Sequence, residues 1–109
     1  MKGKIVLVPF PFTDLTAAKL RPALVIHEAD EDVVVAFISS KLPSEPSDAD
    51  ILITKDHSGF TSSGLKADSV IKLDKIATVL KDFIVGELGG LDEVLKREAN
   101  QKLRKLMKI

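Results

Sequence analysis

An arginine and a pair of serines flank two neighbouring apolar runs of the chain. Arg21 precedes the run Pro22–Ile26, and Ser39-Ser40 follows the run Val33–Ile38. Arginine presents a planar fork of N–H donors that binds phosphate and stays charged at ordinary pH. A hydroxyl beside it adds a donor to the same phosphate oxygens, so together they can stabilise a five-coordinate phosphodiester. In RNA the neighbouring 2′-hydroxyl supplies the nucleophile, so such a site needs neither a metal nor a covalent protein residue.

The two apolar runs are predicted to pair as a β-hairpin. The acidic link His27–Asp32 joins them, and short apolar runs separated by a polar link are typical of hairpin strands. A tip centred near residue 30 pairs residues whose numbers sum to about 60. Arg21 then faces Ser39 with Cα atoms ~4.5–5.5 Å apart. A shift of one residue pairs Arg21 with Ser40, so pairing alone leaves both serines open.

Further apolar runs predict additional short strands. These are Lys4–Val8, Asp50–Thr54, Ser69–Leu73 and Lys75–Leu80. The hairpin strands lack apolar–polar alternation, which is typical of strands covered on both faces. Pro9 and Pro11 are expected to limit ladder pairing, with Phe10 and Phe12 packing beside the sheet edge. Segments of loop composition separate the strands: Thr13–Leu20, Lys41–Ala49 and Lys55–Gly64.

The C-terminal residues 92–107 predict an amphipathic helix. Their apolar residues recur every three to four positions and are Val94, Leu95, Ala99, Leu103, Leu106 and Met107. Gly89-Gly90 breaks the chain before this segment, and Asp92 and Glu93 favour a helix N-terminus. Short strands followed by one helix predict a mainly β fold, an antiparallel barrel or curled sheet with a C-terminal helix. The length of 109 residues predicts a single domain over 1–109.

Composition and charge narrow the classes of function. The chain has no cysteine, which excludes disulfides and thiolate metal sites. No apolar run approaches the ~18 residues of a membrane span, and the N-terminal residues lack a signal-peptide pattern, so a cytoplasmic protein is expected. Net charge is zero, but residues 28–50 hold seven acidic residues against the single basic Lys41. The hairpin tip should therefore repel a polyanion and leave the Arg21 end as the favourable one.

With these residues in view, the sequence resembles the PemK/MazF family of toxin endoribonucleases. The opening G-x-I-V-L-V-P-F-P-F-T-D, K-L-R-P-A-L-V-I, V-V-V-A-F-I-S-S and L-K-A-D-S-V-I-K-L-D-K-I-A-T-V carry the resemblance, in family order. It implies an SH3-like barrel that works as a homodimer. It also implies metal-independent cleavage of single-stranded RNA, with no cofactor, to 2′,3′-cyclic phosphate and 5′-hydroxyl ends. A cognate antitoxin protein is the expected partner, and no membrane is expected.

The resemblance also assigns the site residues. The catalytic arginine of the family falls on Arg21, with acid/base and phosphate-binding roles. Its catalytic Thr/Ser falls on Ser39, which stabilises the transition state. The expected RNA-binding residues are Lys19, Ser40, Lys41, Lys66, Asp68 and Ser69. Because arginine stays protonated at ordinary pH, it is a poor general base, and His57 is the other candidate proton carrier. His27 lies at the acidic tip.

A second function stays open from the sequence. CcdB-type toxins share the fold but act on DNA gyrase, without enzymatic activity, through the C-terminal helix. The neutral overall charge and the short Thr13–Leu20 loop are compatible with such a binding toxin. Arg21 and Ser39 together favour the ribonuclease.

Overall fold

The chain folds into a six-stranded antiparallel sheet followed by a C-terminal helix. A computed structural model describes residues 1–10 and 19–109. The elements are β1 (Lys4–Phe10), β2 (Lys19–Glu28), β3 (Asp32–Ser39), β4 (Asp50–Ile53), α1 (Phe60–Ser63), β5 (Ser69–Leu80), β6 (Gly86–Gly90) and α2 (Glu93–Leu106). The strand order is β4-β5-β3-β2-β1-β6. This confirms the predicted class of an antiparallel β fold with a C-terminal helix.

Both faces of the central strands are buried, as the missing alternation predicted. The consecutive residues Ala23, Leu24 and Val25 are all at most 1% exposed. Because successive side chains of a strand point to opposite faces, Leu24 enters one core cluster and its two neighbours enter another. The first cluster contains Leu95 and Ala99 of α2, so the helix covers that face of the sheet. The second cluster is mostly valine and lies on the opposite face.

Helix α2 matches the prediction to within one residue at each end. Asp92 begins it as the N-cap, and its Oδ1 accepts a hydrogen bond from the backbone N–H of Leu95 at 2.9 Å. Burial of the Leu95 side chain contributes about 1.5–3 kcal/mol. The apolar face is narrower than the sequence pattern predicted, because Val94 and Met107 are about half exposed (51% and 49%).

The first strand is longer than predicted and runs through a proline. β1 continues to Phe10, with Pro9 opposite Leu20 of β2. On its other side, β1 pairs with β6 only as far as Leu7 opposite Gly86. The carbonyl of Leu7 points to the β6 side, where it accepts a hydrogen bond from the N–H of Val85. Residues two apart in a strand have the same orientation, so an N–H at position 9 would also point to the β6 side, where β1 has no partner beyond Leu7. The proline therefore costs no ladder hydrogen bond.

The strand β5 also differs from the prediction. The predicted strands Ser69–Leu73 and Lys75–Leu80 are one strand, β5. Its ladder with β3 jumps from Phe37↔Lys72 to Ala36↔Ile76, so Leu73, Asp74 and Lys75 form a bulge. The polar Asp74 is typical of a break between strands, but the backbone only bulges there and the strand continues.

Two short elements were missing from the prediction. β6 has the sequence GELGG, which carries no apolar run, and α1 lies within the predicted loop Lys55–Gly64. Gly89 allows close packing, because a Cβ there would lie 2.3 Å from the carbonyl oxygen of Ser62 in α1.

The loop predicted over Thr13–Leu20 lies mostly outside the described residues, as do Pro11 and Phe12. Lys19 and Leu20 belong to β2 instead of the loop. Within the described ranges, none of the helices has the length and apolar character that spanning a membrane requires.

Candidate functional site

The predicted hairpin register is found in the structure. Ala23 faces Phe37 and Leu24 faces Ala36, and the numbers of each pair sum to 60. A bulge between Val25 and His27 shifts the register only on the tip side. At the open end the same register places Arg21 opposite Ser39, beyond the last ladder pair. Because Pro22 has no N–H to donate, the ladder itself ends before this pair.

Arg21 and Ser39 line one cleft of about 560 Å³. We call it the Arg21–Ser39 cleft, and it lies on the face of the valine-rich cluster. Its lining residues are Phe10, Arg21, Phe37, Ile38, Ser39, Lys72, Asp74, Lys75 and Ile76. The rings of Phe10 and Phe37 pack with centroids 5.0 Å apart and planes inclined by 58°. Aromatic side chains beside cations suit a ligand that combines flat rings with phosphates.

The Ser39 hydroxyl is oriented by the backbone. Its Oγ accepts a hydrogen bond from the N–H of Lys41 at 3.1 Å. That bond uses a lone pair of the oxygen and leaves the O–H to donate elsewhere. Arg21 is exposed and pairs backbone to backbone with the buried Val8, so its side chain extends from a fixed strand. A hydroxyl donor and a guanidinium therefore line the same cleft.

Three further charged side chains reach the cleft and were not predicted. Lys72 lies on the same face as Phe37, and the β5 bulge brings Asp74 and Lys75 to the rim. Lys72 Nζ lies 3.6 Å from Oδ1 of the buried Asp50. The signal in the sequence was the charged alternation within V-I-K-L-D-K, in a strand otherwise rich in apolar residues.

The predicted RNA-binding residues fall into two groups. Lys19, Ser40 and Lys41 are exposed and lie directly beside the cleft residues Phe10 and Ser39 along the ladder or the chain. Their contacts with RNA stay predictions.

The second group is not part of the lining. Lys66 is exposed in the loop before β5. Asp68 Oδ1 accepts a hydrogen bond from the N–H of Lys55 at 2.7 Å. Ser69 is 4% exposed and donates its hydroxyl to the carbonyl of Ala67 at 2.8 Å. The last two thus have a local role in fixing this loop, and an RNA contact for any of the three stays a prediction.

Neither histidine lines the cleft. His27 lies in β2 near the acidic tip. His57 Nδ1 accepts a hydrogen bond from the N–H of Gly59 at 2.8 Å, just before α1. Among the described residues, Asp74 is the one carboxylate that lines the Arg21–Ser39 cleft.

Glu28, at the tip end of the sheet, is held ionised by two cations. Hydrogen bonds from Lys81 and from the amine of Met1 lower the pKa of Glu28 to about 2. The acidic Asp30 and Glu31 follow it in the chain. A polyanion is therefore favoured at the opposite end, where the cations of the cleft lie.

Comparison with known proteins gives one family and a set of similar folds. The family model of the PemK-like, MazF-like toxin of type II toxin–antitoxin system matches residues 1–107. No protein of curated function is significantly similar to the chain in sequence.

Three solved structures illustrate the shared fold. An endoribonuclease from a mycobacterial species, in complex with its cognate antitoxin, has 14% identity and a TM-score of 0.75, covering 100% of this chain and 95% of that chain. The Mycobacterium tuberculosis toxin MazF-mt6 has 15% identity and a TM-score of 0.75, covering 97% of each chain. MazF from Deinococcus radiodurans has 17% identity and a TM-score of 0.69, covering 99% and 96%.

These likenesses confirm the predicted architecture of the sheet and its helix. The family match spans almost the whole chain and includes every residue of the Arg21–Ser39 cleft. The chain therefore belongs to the PemK-like, MazF-like toxins of type II toxin–antitoxin systems.

Proposed function

We propose that this toxin is a metal-independent endoribonuclease that cleaves single-stranded RNA in the Arg21–Ser39 cleft. The observation that carries the proposal is that Arg21 and Ser39, 18 positions apart in the chain, line the same cleft. Similar folds include proteins named endoribonucleases. The products are a 2′,3′-cyclic phosphate and a 5′-hydroxyl.

Arg21 and Ser39 act on the scissile phosphate. The 2′-oxygen bonds to phosphorus as the bond from phosphorus to the 5′-oxygen breaks. Arg21 and the Ser39 hydroxyl donate hydrogen bonds to the non-bridging oxygens, whose negative charge is largest in the five-coordinate state. The departing 5′-oxygen takes a proton from Arg21, in the acid role that the family resemblance assigns to it, and Arg21 regains a proton from water as the proton on Asp74 returns to solvent.

Asp74 accepts the proton of the 2′-hydroxyl. Arginine already carries its proton at the start of the reaction and so cannot serve as the base. Asp74 supplies a carboxylate at the rim of the cleft, and the histidines lie elsewhere in the fold. A carboxylate that is ionised at neutral pH can take a proton within hydrogen-bond reach.

The remaining features complete the proposal. Phe10 and Phe37 stack on RNA bases, and Lys19, Ser40 and Lys41 contact the RNA beside the cleft. Outside the lining, Lys66 contacts a more distant part of the RNA, on the loop that Asp68 and Ser69 hold. The toxin works as a homodimer in the cytoplasm. Its cognate antitoxin inhibits it by covering the cleft, as a partner with an acidic segment would complement Arg21, Lys72 and Lys75.

Arg21→Ala tests the proposal directly. Purified protein is incubated in EDTA with a long single-stranded RNA, and cleavage is followed on a gel. We expect cleavage by the wild type and a loss of about 10²–10³-fold or more in the variant, because one phosphate-stabilising donor group is removed. Arg97→Ala, which removes an exposed arginine of α2, is the matched control and should cleave normally. Absence of cleavage by the wild type, or a normal rate for Arg21→Ala, would contradict the proposal.

Asp74→Asn tests the general base. We expect kcat to fall by about 10²-fold, since general-base catalysis contributes at least that factor. Asp82→Asn, an exposed acid outside the cleft, is the control. A variant that keeps the wild-type rate, and only cleaves other sequences, would make Asp74 a specificity residue instead.

A further inference from the structure

Asp50 is a buried carboxylate next to the cleft that the proposed chemistry does not use. It begins β4 and is only 6% exposed. Its Oδ2 accepts a hydrogen bond from the N–H of Ser47 at 2.9 Å, and its Oδ1 lies 3.6 Å from Lys72 Nζ. A buried charge requires such partners, because desolvation without them is costly. Asp50 therefore constrains the position of the lysine ammonium.

The sheet register places this ion pair beside the reacting groups. Phe37 of β3, Lys72 of β5 and Asp50 of β4 lie opposite one another in successive ladders. The next row on the same face contains Ser39 opposite Val70. Rows of the same face are two residues apart, which is about 7 Å along a strand. The pair thus lies one row from Ser39, and Lys72 itself lines the cleft.

Helix α2 also holds the backbone of Asp50. Lys102 Nζ donates a hydrogen bond to the backbone carbonyl of Asp50 at 2.6 Å and pairs with Glu98 at 3.0 Å. Both carboxylate oxygens and the carbonyl of Asp50 therefore have partners. Lysine has a flexible four-carbon stem, and its ammonium carries three donors. The ion pair with Asp50 at 3.6 Å restricts the stem and leaves the donors of the ammonium for a ligand.

We propose that Asp50 is a positioning residue that holds Lys72 in the cleft as the ligand of a phosphate adjacent to the scissile one. The inference rests on the proposed RNA substrate and adds the way in which one of its contacts is built. Lys72 is 33% exposed at its side chain, so a phosphate in the cleft can reach it while the carboxylate of Asp50 stays covered.

The test measures KM and kcat on a defined single-stranded RNA over a range of NaCl concentrations. Lys72→Gln should raise KM by about 10-fold, as expected for the loss of one charged hydrogen bond. It should also reduce the slope of log KM against log salt by about 0.7, the value for one phosphate contact on a single strand. Lys72→Arg should restore both. Lys96→Gln, an exposed lysine of α2, is the matched control and should change neither.

Asp50→Asn keeps an oxygen for the Ser47 N–H but removes the charge that holds Lys72. We expect it to raise KM about 3-fold with kcat nearly unchanged, and to add nothing in the Lys72→Gln background, because it acts through Lys72. Thermal melts identify the folded variants, and Asp50→Glu, which displaces the charge by one methylene, replaces Asp50→Asn if the latter unfolds.

Two results would overturn the inference. One is an unchanged KM in the Asp50 variants, and the other is an equal rise of KM on substitution of Asp50 whether or not Lys72 is present. If the proposed function itself is wrong, the result is different, because the wild type then neither binds nor cleaves the RNA.

Discussion

At the scale of single residues, the cleft depends on a small number of oriented donors. The sequence placed either Ser39 or Ser40 opposite Arg21, and the register at Ala23↔Phe37 selects Ser39. The N–H of Lys41 holds the Ser39 oxygen and leaves its proton to donate. Ser40 is exposed and does not line the cleft. The two neighbouring serines should therefore differ in function.

Three serine variants check this difference. Ser39→Ala should lower kcat by about 10²-fold, because it removes a donor to the transition-state phosphate. Ser39→Thr keeps the hydroxyl and should stay near the wild-type rate, and Ser40→Ala should do the same. RNA cleavage rates measured at saturating substrate decide the matter. A larger loss from Ser40→Ala than from Ser39→Ala would show that the register at the open end differs from that of the ladder.

At the scale of elements, irregularities of the sheet build the site and the back of the fold. The bulge Leu73–Lys75 re-aims β5 so that two charged side chains enter the cleft. Gly89 of β6 lies where α1 packs against the strand at backbone distance. Neither feature follows from apolar periodicity, since both depend on the partner that each segment meets.

Two glycines of β6, Gly86 and Gly89, provide a matched pair of variants. Gly89→Ala should lower the free energy of unfolding by about 2–3 kcal/mol, as its Cβ would lie 2.3 Å from the carbonyl oxygen of Ser62. A Cβ on Gly86 meets nothing within 4 Å, so Gly86→Ala should be close to neutral. Urea unfolding followed by circular dichroism measures both. Equal stabilities of the two variants would mean that α1 and β6 pack less closely than in the structure.

At the scale of the whole molecule, the helix and the cleft lie on opposite faces of the sheet. Leu95 and Ala99 of α2 belong to the first core cluster, whereas the cleft continues the face of the second cluster through Phe37. Residues 107–109 follow α2 and are exposed. The two functions considered from the sequence therefore involve different regions of the molecule.

Removal of residues 107–109 separates a ribonuclease from a gyrase-directed toxin. A ribonuclease should keep its RNA cleavage and its arrest of growth within about 2-fold, because this segment follows the helix and none of its residues lines the cleft. A toxin acting through the chain end should lose growth arrest on truncation and keep it in Arg21→Ala. Growth of an expressing culture, with Arg21→Ala in parallel, gives the answer. The second pattern would favour the non-enzymatic toxin.

The sequence by itself determined the hairpin and the helix. The register from Ala23 to Val25 and the bounds of α2 depend on contacts between residues close in the chain, on the position of the tip and on the N-cap Asp92. It also indicated two buried faces, because runs such as Ala23–Val25 contain no polar residue to turn outward. Arg21 and Ser39 could be brought together from that information alone.

Only the tertiary structure decided which further charges join them. Lys72 and Asp50 are 22 positions apart, and they meet because β5 lies between β3 and β4 in the sheet. Asp74 and Lys75 reach the cleft because β5 bulges between its pairings with Phe37 and Ala36 of β3. Strand order and bulges are set by packing between distant segments, which leaves little trace in local periodicity. For that reason the arginine and serine were predictable, and the side chains that complete their cleft were not.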